Sequence, residues 1–413
     1  VTKDIDALLD AREKRRKHAL DLTLDMERPV VIAKANTPGF NKNTPESNVI
    51  LNTSSALISA LFEIEHDARV KSVDGDYHIF VVASDALYIK RLSVYLENTH
   101  TLGRLMDLDV YTEGSSVTRT ALNFPKRSCF LCGRHPAFCA RENTHTPTDF
   151  KTFITSKVRS FLLDALSNEA ELALLKELYL TPCFSLVGPE GSGIHSDMNI
   201  THFLASTDAL KPYFRHYLAM GMDLEHTYPF LRLAGLKGEK AMFKATGDIN
   251  THKGTHFIFA LALPVFMDSV LNQTSFDSFK DALRDLSKLL IGKDYPSLKT
   301  PKTTGEHFYR DKGIEGIRGE ALRGFQGVFD WYPKKGESGF QKLLRIMARI
   351  EDTTLLKRGI DLKTMKKALM SCEEKGFKAI DDIKHVYGNT SPGGAADLMA
   401  LVFFLEHTDH LLK

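Results

Sequence analysis

The spacing of apolar residues changes once along this chain of 413 residues, near residue 150, and that change limits its fold more than any composition figure. Before it, short runs of β-forming residues alternate with helical spacing. Residues 29–33, 78–83 and 108–111 read as strands, and 5–26 and 51–70 as helices. Ser84 or Asp85 can cap a further helix, and the Asn-, Thr-, Pro- and Gly-rich residues 36–48 read as a loop. After residue 150 the strand pattern stops. Apolar residues then recur every three or four positions over 150–180, 199–222, 236–244, 256–271, 275–290, 340–358, 362–375 and 393–412. The expectation is a multidomain chain: an α/β or α+β domain over residues 1–150, then an all-α domain over 151–413. The Thr-rich turn at Pro147-Thr148-Asp149 marks the boundary. No internal repeat or low-complexity tract interrupts either part.

The 54 Lys and Arg nearly balance the 52 Asp and Glu, giving a formal charge of +2. That excludes a protein gripping long nucleic acid by bulk charge, though a local basic site for a phosphorylated small molecule stays open. No apolar run reaches the length of a membrane span; the longest, 257–266, is short and holds Pro264. Lys14-Arg15-Arg16-Lys17 has no apolar run after it, so no signal peptide is expected, and the expectation is a soluble cytoplasmic protein without membrane or nucleic-acid partners. Five cysteines are ordinary for a reduced compartment.

Two constellations carry chemistry in the first part. In Gly103-Arg104-Leu105-Met106-Asp107-Leu108-Asp109, strand alternation puts Asp107 and Asp109 on one side. Adjacent carboxylates repel unless a cation bridges them, and Mg²⁺ favours such oxygen ligands together with substrate phosphates. Gly103 would permit close approach of a phosphate, and Arg104 offers a fork for it. The plainer reading is a solvated Asp-x-Asp at a strand end. The second constellation is Cys129-x2-Cys132-x6-Cys139-x5-His145, which can supply a tetrahedral structural Zn²⁺ site or be reduced thiols beside a surface His.

In the helical part, Glu239 precedes a loop, Asn250-Thr251-His252-Lys253-Gly254, that gathers an amide, a hydroxyl, an imidazole and an ammonium at a helix N-terminus. Such an end seats phosphate, although the Walker order is absent. Further polar strings stand at expected helix ends: His195-Ser196-Asp197-Met198, Thr304-Gly305-Glu306, Gly316-Ile317-Arg318-Gly319-Glu320-Ala321, Glu351-Asp352-Thr353-Thr354 and Ser391-Pro392-Gly393-Gly394-Ala395-Ala396-Asp397. Taken singly, they are caps and turns.

The Gly-Arg-Leu-x-Asp-x-Asp-Val string from Gly103, followed by Arg127-Ser128-Cys129 and the rest of the Cys and His pattern, resembles holo-citrate lyase synthase, the CitX family, over roughly residues 1–150. Arg12, Lys14, Arg15, Arg16 and the stretch 29–40 fit its N-terminal pattern. The resemblance implies a nucleotidyltransferase-like domain that moves phosphoribosyl-dephospho-CoA from a triphosphate donor to a serine of the citrate lyase acyl carrier protein (gamma subunit), releasing pyrophosphate. It gives Asp107 and Asp109 the metal-binding role.

The Asn-Thr-His-Lys-Gly loop, the string around Arg318 and the Ser391 to Asp397 string, in that order, resemble triphosphoribosyl-dephospho-CoA synthase, the CitG type, over roughly residues 155–413. That family joins ATP to 3′-dephospho-CoA with loss of adenine, making the donor used by the first domain. Displacing adenine builds positive character at the sugar, so the site needs an acid, a carboxylate and cations around the triphosphate. Lys253 and Arg318 are the phosphate candidates; Glu239, His252 and Asp352 are candidates for base, stabiliser or metal ligand. His195, Asp197, Asn250, Thr251, Gly254, Ser391, Gly393, Gly394 and Asp397 complete the expected substrate site.

One stretch departs from the family pattern Pro-Lys-Pro-Gly-Leu-Val-Asp. Here it reads Pro182-Cys183-Phe184-Ser185-Leu186-Val187-Gly188, and Asp248 replaces a further Gly. Two readings follow: a bifunctional enzyme, or a protein whose CitG-like half binds a nucleotide or CoA derivative without turnover.

Overall fold

In a computed structural model, the protein is described over residues 2–39, 41–332, 336–361, 363, 366–367, 369–371 and 390–412. Two compact units divide it, Val1–Leu162 with Val270–Gln273 and Leu163–Ser269 with Thr274–Lys413. The division falls inside one helix, Pro147–Leu178.

The first unit is built on five strands: β1 (Val30–Ala35), β2 (Ile64–Val70), β3 (Tyr77–Val82), β4 (Met106–Thr112) and β5 (Ser115–Val117). Their order is β2-β3-β1-β4-β5 and every pairing is antiparallel, which makes the unit α+β. Central β1 is buried at all six positions because helices cover both faces. Val31, Ala33, Phe80, Leu108 and Val110 face Leu51 and Ile58 of α2 (Pro45–Leu61) and Ile89 of α3 (Ala86–Thr99). Val30, Ile32, Ile79 and Val81 face Ala19 of α1 (Thr2–Asp25).

Three sequence readings are corrected here. Residues 51–70 are not one helix: α2 ends at Leu61, and Ile64–Val70 is edge strand β2. No position of β2 is fully buried and only Ile64, Ala68 and Val70 are half-buried, so its apolar residues are too sparse to separate a strand from a helix. The loop 36–48 ends early, because Thr44 caps α2 through Ser47 N and Pro45 starts it. Strand β5 is too short to leave a pattern. Of the two proposed caps, Asp85 accepts the Tyr88 N–H.

In the second unit, the longer helices after Leu178 are α6 (Ile200–Gly221), α8 (Leu231–Thr246), α9 (Lys253–Asn272), α10 (Phe276–Ile291) and α14 (Gly339–Arg349). The shorter ones are α7 (Leu224–Thr227), α11 (Thr304–Lys312), α12 (Gly316–Leu322), α13 (Gln326–Phe329) and α15 (Thr353–Lys357); the helix Gly393–Thr408 follows. In the first unit α4 is Pro136–Arg141, and Pro147–Leu178 is α5. Among the described residues no strand follows residue 150, only an isolated bridge between Gly188 and Gly191. The expected helix 340–358 is two, because Asp352 caps a new start at Thr353. The helix expected over 362–375 falls largely outside the described residues. Helix α9 is long and apolar enough to cross a membrane, but 72% of its apolar window is buried in the fold, as in a core helix.

Candidate functional site

Each unit carries a constellation of its own. In the first, Asp107 and Asp109 stand on β4, opposite Lys34 and Ile32 of β1, on the α1 face of the sheet. The strand that presents them is held in an unusual way. β5 pairs only with Val110, Tyr111 and Thr112, so the lower half of β4 has no strand on that side. Side chains take its place: Glu97 accepts the Leu108 N–H (3.0 Å), Lys90 Nζ donates to the Leu108 carbonyl (2.8 Å), and Arg127 donates to the Met106 carbonyl (2.8 Å). Glu97 and Lys90 are buried, and Arg119 donates to the second oxygen of Glu97 at 2.6 Å. Backbone groups that would otherwise be unpaired thus lock the carboxylate pair in position. Burial and the neighbouring Asp107 charge push Asp109 up to about 6.

Beside the pair lies a basic set organised by one acid. Asp74 is fully buried and accepts from Arg12 (3.1 Å), Arg15 (2.8 Å) and Lys34 (2.9 Å). Burial opposes its charge, yet the Arg15 and Lys34 hydrogen bonds win and hold it at about 2. Burial and the Lys34 charge lower the Lys42 ammonium. Sequence reading missed Asp74, Lys34, Lys42, Lys90 and Glu97. Asp74 lies about sixty residues from its arginines, and no local pattern carries such a contact. Gly103 and Arg104 sit differently from expectation. A Cβ on Gly103 would be 2.4 Å from the Leu96 carbonyl, so its close approach is to α3. Arg104 donates to the Ser128 carbonyl.

Cys129, Cys132, Cys139 and His145 converge, with their ligand atoms all within 4.8 Å of one another and Cys132 Sγ 3.4 Å from Cys139 Sγ. A tetrahedral ion with Zn–S near 2.3 Å spaces its sulfurs by about 3.8 Å, so the set fits zinc. His145 Nε2 is buried without a hydrogen-bond partner, as a waiting ligand would be.

In the second unit the expected residues form three groups. Around the start of α9, Lys253 pairs with Glu239 (2.7 Å) and lies over Phe243, beside a cavity of about 590 Å³ lined by Glu239, Lys240, Phe243 and Lys244. Asn250 is exposed. His252 is buried, with Nδ1 2.8 Å from Ser206 Oγ and Nε2 unpartnered, and burial drives its pKa down to about 3. It is therefore neutral at ordinary pH. Gly247 and Asp248 both have positive φ where the chain leaves α8, which is why a Gly suits position 248 and Asp tolerates it.

The second group joins α9 to the helix Gly393–Thr408. Asp397 Oδ1 accepts from Thr255 N (2.9 Å) and Thr255 Oγ1 (2.7 Å), while Oδ2 fills the space that a Cβ on Gly254 would occupy. Asp352 accepts from Thr354 N and Leu355 N with one oxygen and from Ala395 N with the other, so it caps two helices; a Cβ on Gly394 would meet it at 3.1 Å. The Gly393 N–H donates to Thr354 Oγ1. His195 Nε2 is 3.1 Å from Ser391 Oγ, Arg358 donates to the Ser391 carbonyl at 2.7 Å, and the exposed Asp197 lies 4.0 Å from His195 Nδ1. Burial, then the Arg358 charge, lowers the His195 pKa.

The third group stands apart. Arg318 pairs with Asp294 (3.4 Å) and Glu306 (3.9 Å) in a groove of about 460 Å³ that also holds Arg232, Lys299 and Lys302. The departures at Cys183 and Gly188 turn out to be neighbours: a Cβ on Gly188 would lie 3.9 Å from Cys183 Sγ.

Residues 3–161 match the family described as CitX, apo-citrate lyase phosphoribosyl-dephospho-CoA transferase. Residues 163–413 match CitG, ATP:dephospho-CoA triphosphoribosyl transferase. Protein CitXG of Leuconostoc mesenteroides is 29% identical over 96% of this chain and 96% of its own length. Protein CitXG of Haemophilus influenzae is 29% identical over 97% and 96%. The 2-(5''-triphosphoribosyl)-3'-dephosphocoenzyme-A synthase of Escherichia fergusonii is 33% identical over 59% of this chain and 90% of its own length. The chain carries a CitX segment followed by a CitG segment, and through the second it belongs to the ATP:dephospho-CoA triphosphoribosyl transferase family.

Proposed function

We propose that this chain is a transferase performing two consecutive steps in assembling the citrate lyase prosthetic group. The second unit joins ATP to 3′-dephospho-CoA and releases adenine. The first moves phosphoribosyl-dephospho-CoA from the resulting triphosphate onto a serine of the citrate lyase acyl carrier protein, the gamma subunit, and releases pyrophosphate. The observation that carries this reading is the presence of both families, in order, along the whole chain. A CitG-like half without turnover is not favoured, since residues 163–413 match the transferase family throughout and align with triphosphoribosyl-dephospho-CoA synthases.

In the first unit, Asp107 and Asp109 would hold Mg²⁺, which fits an Asp109 carboxyl raised by burial and by the neighbouring Asp107 charge. Mg²⁺ bound there would neutralise phosphate oxygens. Arg15 and Lys34, pre-aligned by Asp74, would receive the triphosphate, and Arg127 would orient it from the β4 edge. The Cys129, Cys132, Cys139 and His145 set would hold a structural Zn²⁺ that fixes the segment carrying Arg127. A cytoplasmic setting, which supplies ATP and keeps these free thiols reduced, suits both units.

In the second unit, Lys253 and the Asn250-Thr251 loop would contact the triphosphate, while Arg318 stands in its own groove with Asp294 and Glu306. Asp397, anchored through Thr255, is the carboxylate nearest the α9 start, and Asp352 and Gly394 set the helix that presents it. Incubating the protein with ATP and dephospho-CoA should release adenine. Adding apo acyl carrier protein should then give the mass of the prosthetic group on one serine. Absence of adenine would refute the first step, and an unmodified carrier the second.

A further inference from the structure

We propose that the Cys and His knuckle of the first unit is the docking surface for the acyl carrier protein, which meets exposed Phe138, Lys126 and Arg141 with an acidic face beside its acceptor serine. This rests on the reading of the first unit given above and adds where the protein substrate is held.

The transfer step brings two unlike ligands to Asp107 and Asp109. The triphosphate donor is small, and the cations that suit it, Arg15 and Lys34, are largely buried and fixed by Asp74. The carrier is a protein that must bring one side-chain hydroxyl to the same place, so it needs an exposed surface running up to the pair. The segment after β5 supplies one. From Ser115 to Arg141 the chain carries Arg119, Lys126, Arg127, Arg134 and Arg141, and no Asp or Glu. Its inner end is at the site, because Arg127 Nη1 donates to the Met106 carbonyl and lies 3.9 Å from Asp107 Oδ1.

These cations divide by partner. Arg119 and Arg127 turn inward onto Glu97, and Arg134 pairs with Glu142 at 3.0 Å. Lys126, next to Arg127, and Arg141, at the end of α4, are exposed and have no ion-pair partner among the described residues. Charges of this kind add little to stability and are free to meet an anionic surface.

The apolar part of the surface is Phe138, which is 52% exposed. On α4, Cys139 is buried with the other thiols, while Phe138 and Arg141, one turn apart, share an outer face. The ring of Phe138 meets His135 edge to face at 6.0 Å. The knuckle's other aromatic, Phe130, is packed against Phe150 (5.5 Å) and Phe153 (5.3 Å) of α5, so the exposed ring stands on an anchored base. An aromatic anchor with cations at its rim is how a protein surface holds a partner. A segment free of acids attracts an acidic face and repels a basic one, which gives the partner its sign.

The test uses the full chain, supplied triphosphate donor and purified apo acyl carrier protein, with modified carrier read by mass. Lys126→Glu combined with Arg141→Glu should raise the KM for carrier about tenfold or more, with kcat within about threefold of the parent and the KM for donor unchanged. Phe138→Ala should raise the KM for carrier by a similar factor, about tenfold. Raising salt from about 50 to about 300 mM should weaken carrier binding by the parent more than by the double variant. A parental Tm shows that the variants are folded; if charge reversal lowers it, Lys126→Gln with Arg141→Gln decides, with a smaller rise in the same KM. An unchanged KM for carrier, a fall in kcat alone, or a rise in the KM for donor instead would overturn the docking surface. A parent that leaves the carrier unmodified when given donor removes the reading of the first unit, and the docking surface with it.

Discussion

At the residue scale, this protein keeps charged groups where burial works against them. Burial and the Asp107 charge raise the Asp109 pKa to about 6, so folding disfavours its ionised form. The cost in stability builds up as pH rises from the ordinary carboxylate value to about 6 and is complete above it, and a bound cation would offset it. Asp109→Asn should therefore abolish transfer to the carrier yet raise the Tm of chelator-treated protein at pH 7; a lowered Tm would contradict the repulsion argument. Asp107→Asn should also abolish transfer, and both variants should release adenine at the parental rate. Asp74 shows the opposite sign. Its folded pKa of about 2 lies below the ordinary carboxylate value, so its contribution is complete above that value and is lost as pH falls through about 2. Asp74→Asn leaves Arg15 and Lys34 without their shared acid and should cost about 3 kcal/mol in urea unfolding at pH 7.

At the element scale, helix starts and strand edges decide which side chains can act. Asp352 shows this most clearly, because its two oxygens satisfy N–H groups at the starts of α15 and the helix Gly393–Thr408. Asp352→Ala loses two caps and should destabilise the protein by about 2 kcal/mol, read by thermal or urea unfolding. The glycine-rich string before Asp397 reads in sequence as a helix-end turn and part of the expected substrate site, and Gly394 is small because Asp352 packs against it. The Cys and His knuckle makes a similar statement for the first unit. The purified protein should carry about one zinc, and Cys132→Ser should lose it; metal analysis finding none in the parent would refute the site.

At the scale of the whole molecule, the two activities should be separable, because relatives carry the counterpart of the second segment as a protein of its own. An Asp107→Asn protein should make the triphosphate donor without transferring it, and an Asp397→Asn protein should do the reverse. Mixing the two should restore modified carrier at a rate that rises with their concentration. Failure of the mixture, with each variant active in its own half-reaction, would mean that the intermediate is not released.

The change of apolar spacing near residue 150 was enough to tell a mixed unit from a helical one, since periodicity is a local property of the chain. Strands β1, β3 and β4 were legible because they are buried on both faces or alternate cleanly. Edge strand β2 was not, nor was α11, although Thr303 and Glu306 spell its capping box. Asp107 and Asp109, and the four Cys and His residues, were legible because each set lies within a short stretch. Asp74, Glu97 and Lys90 became visible only in three dimensions. Each draws its chemistry from partners that folding brings across eleven residues or more, and burial, nearby charge and hydrogen bonding together set how strongly such a charge is felt.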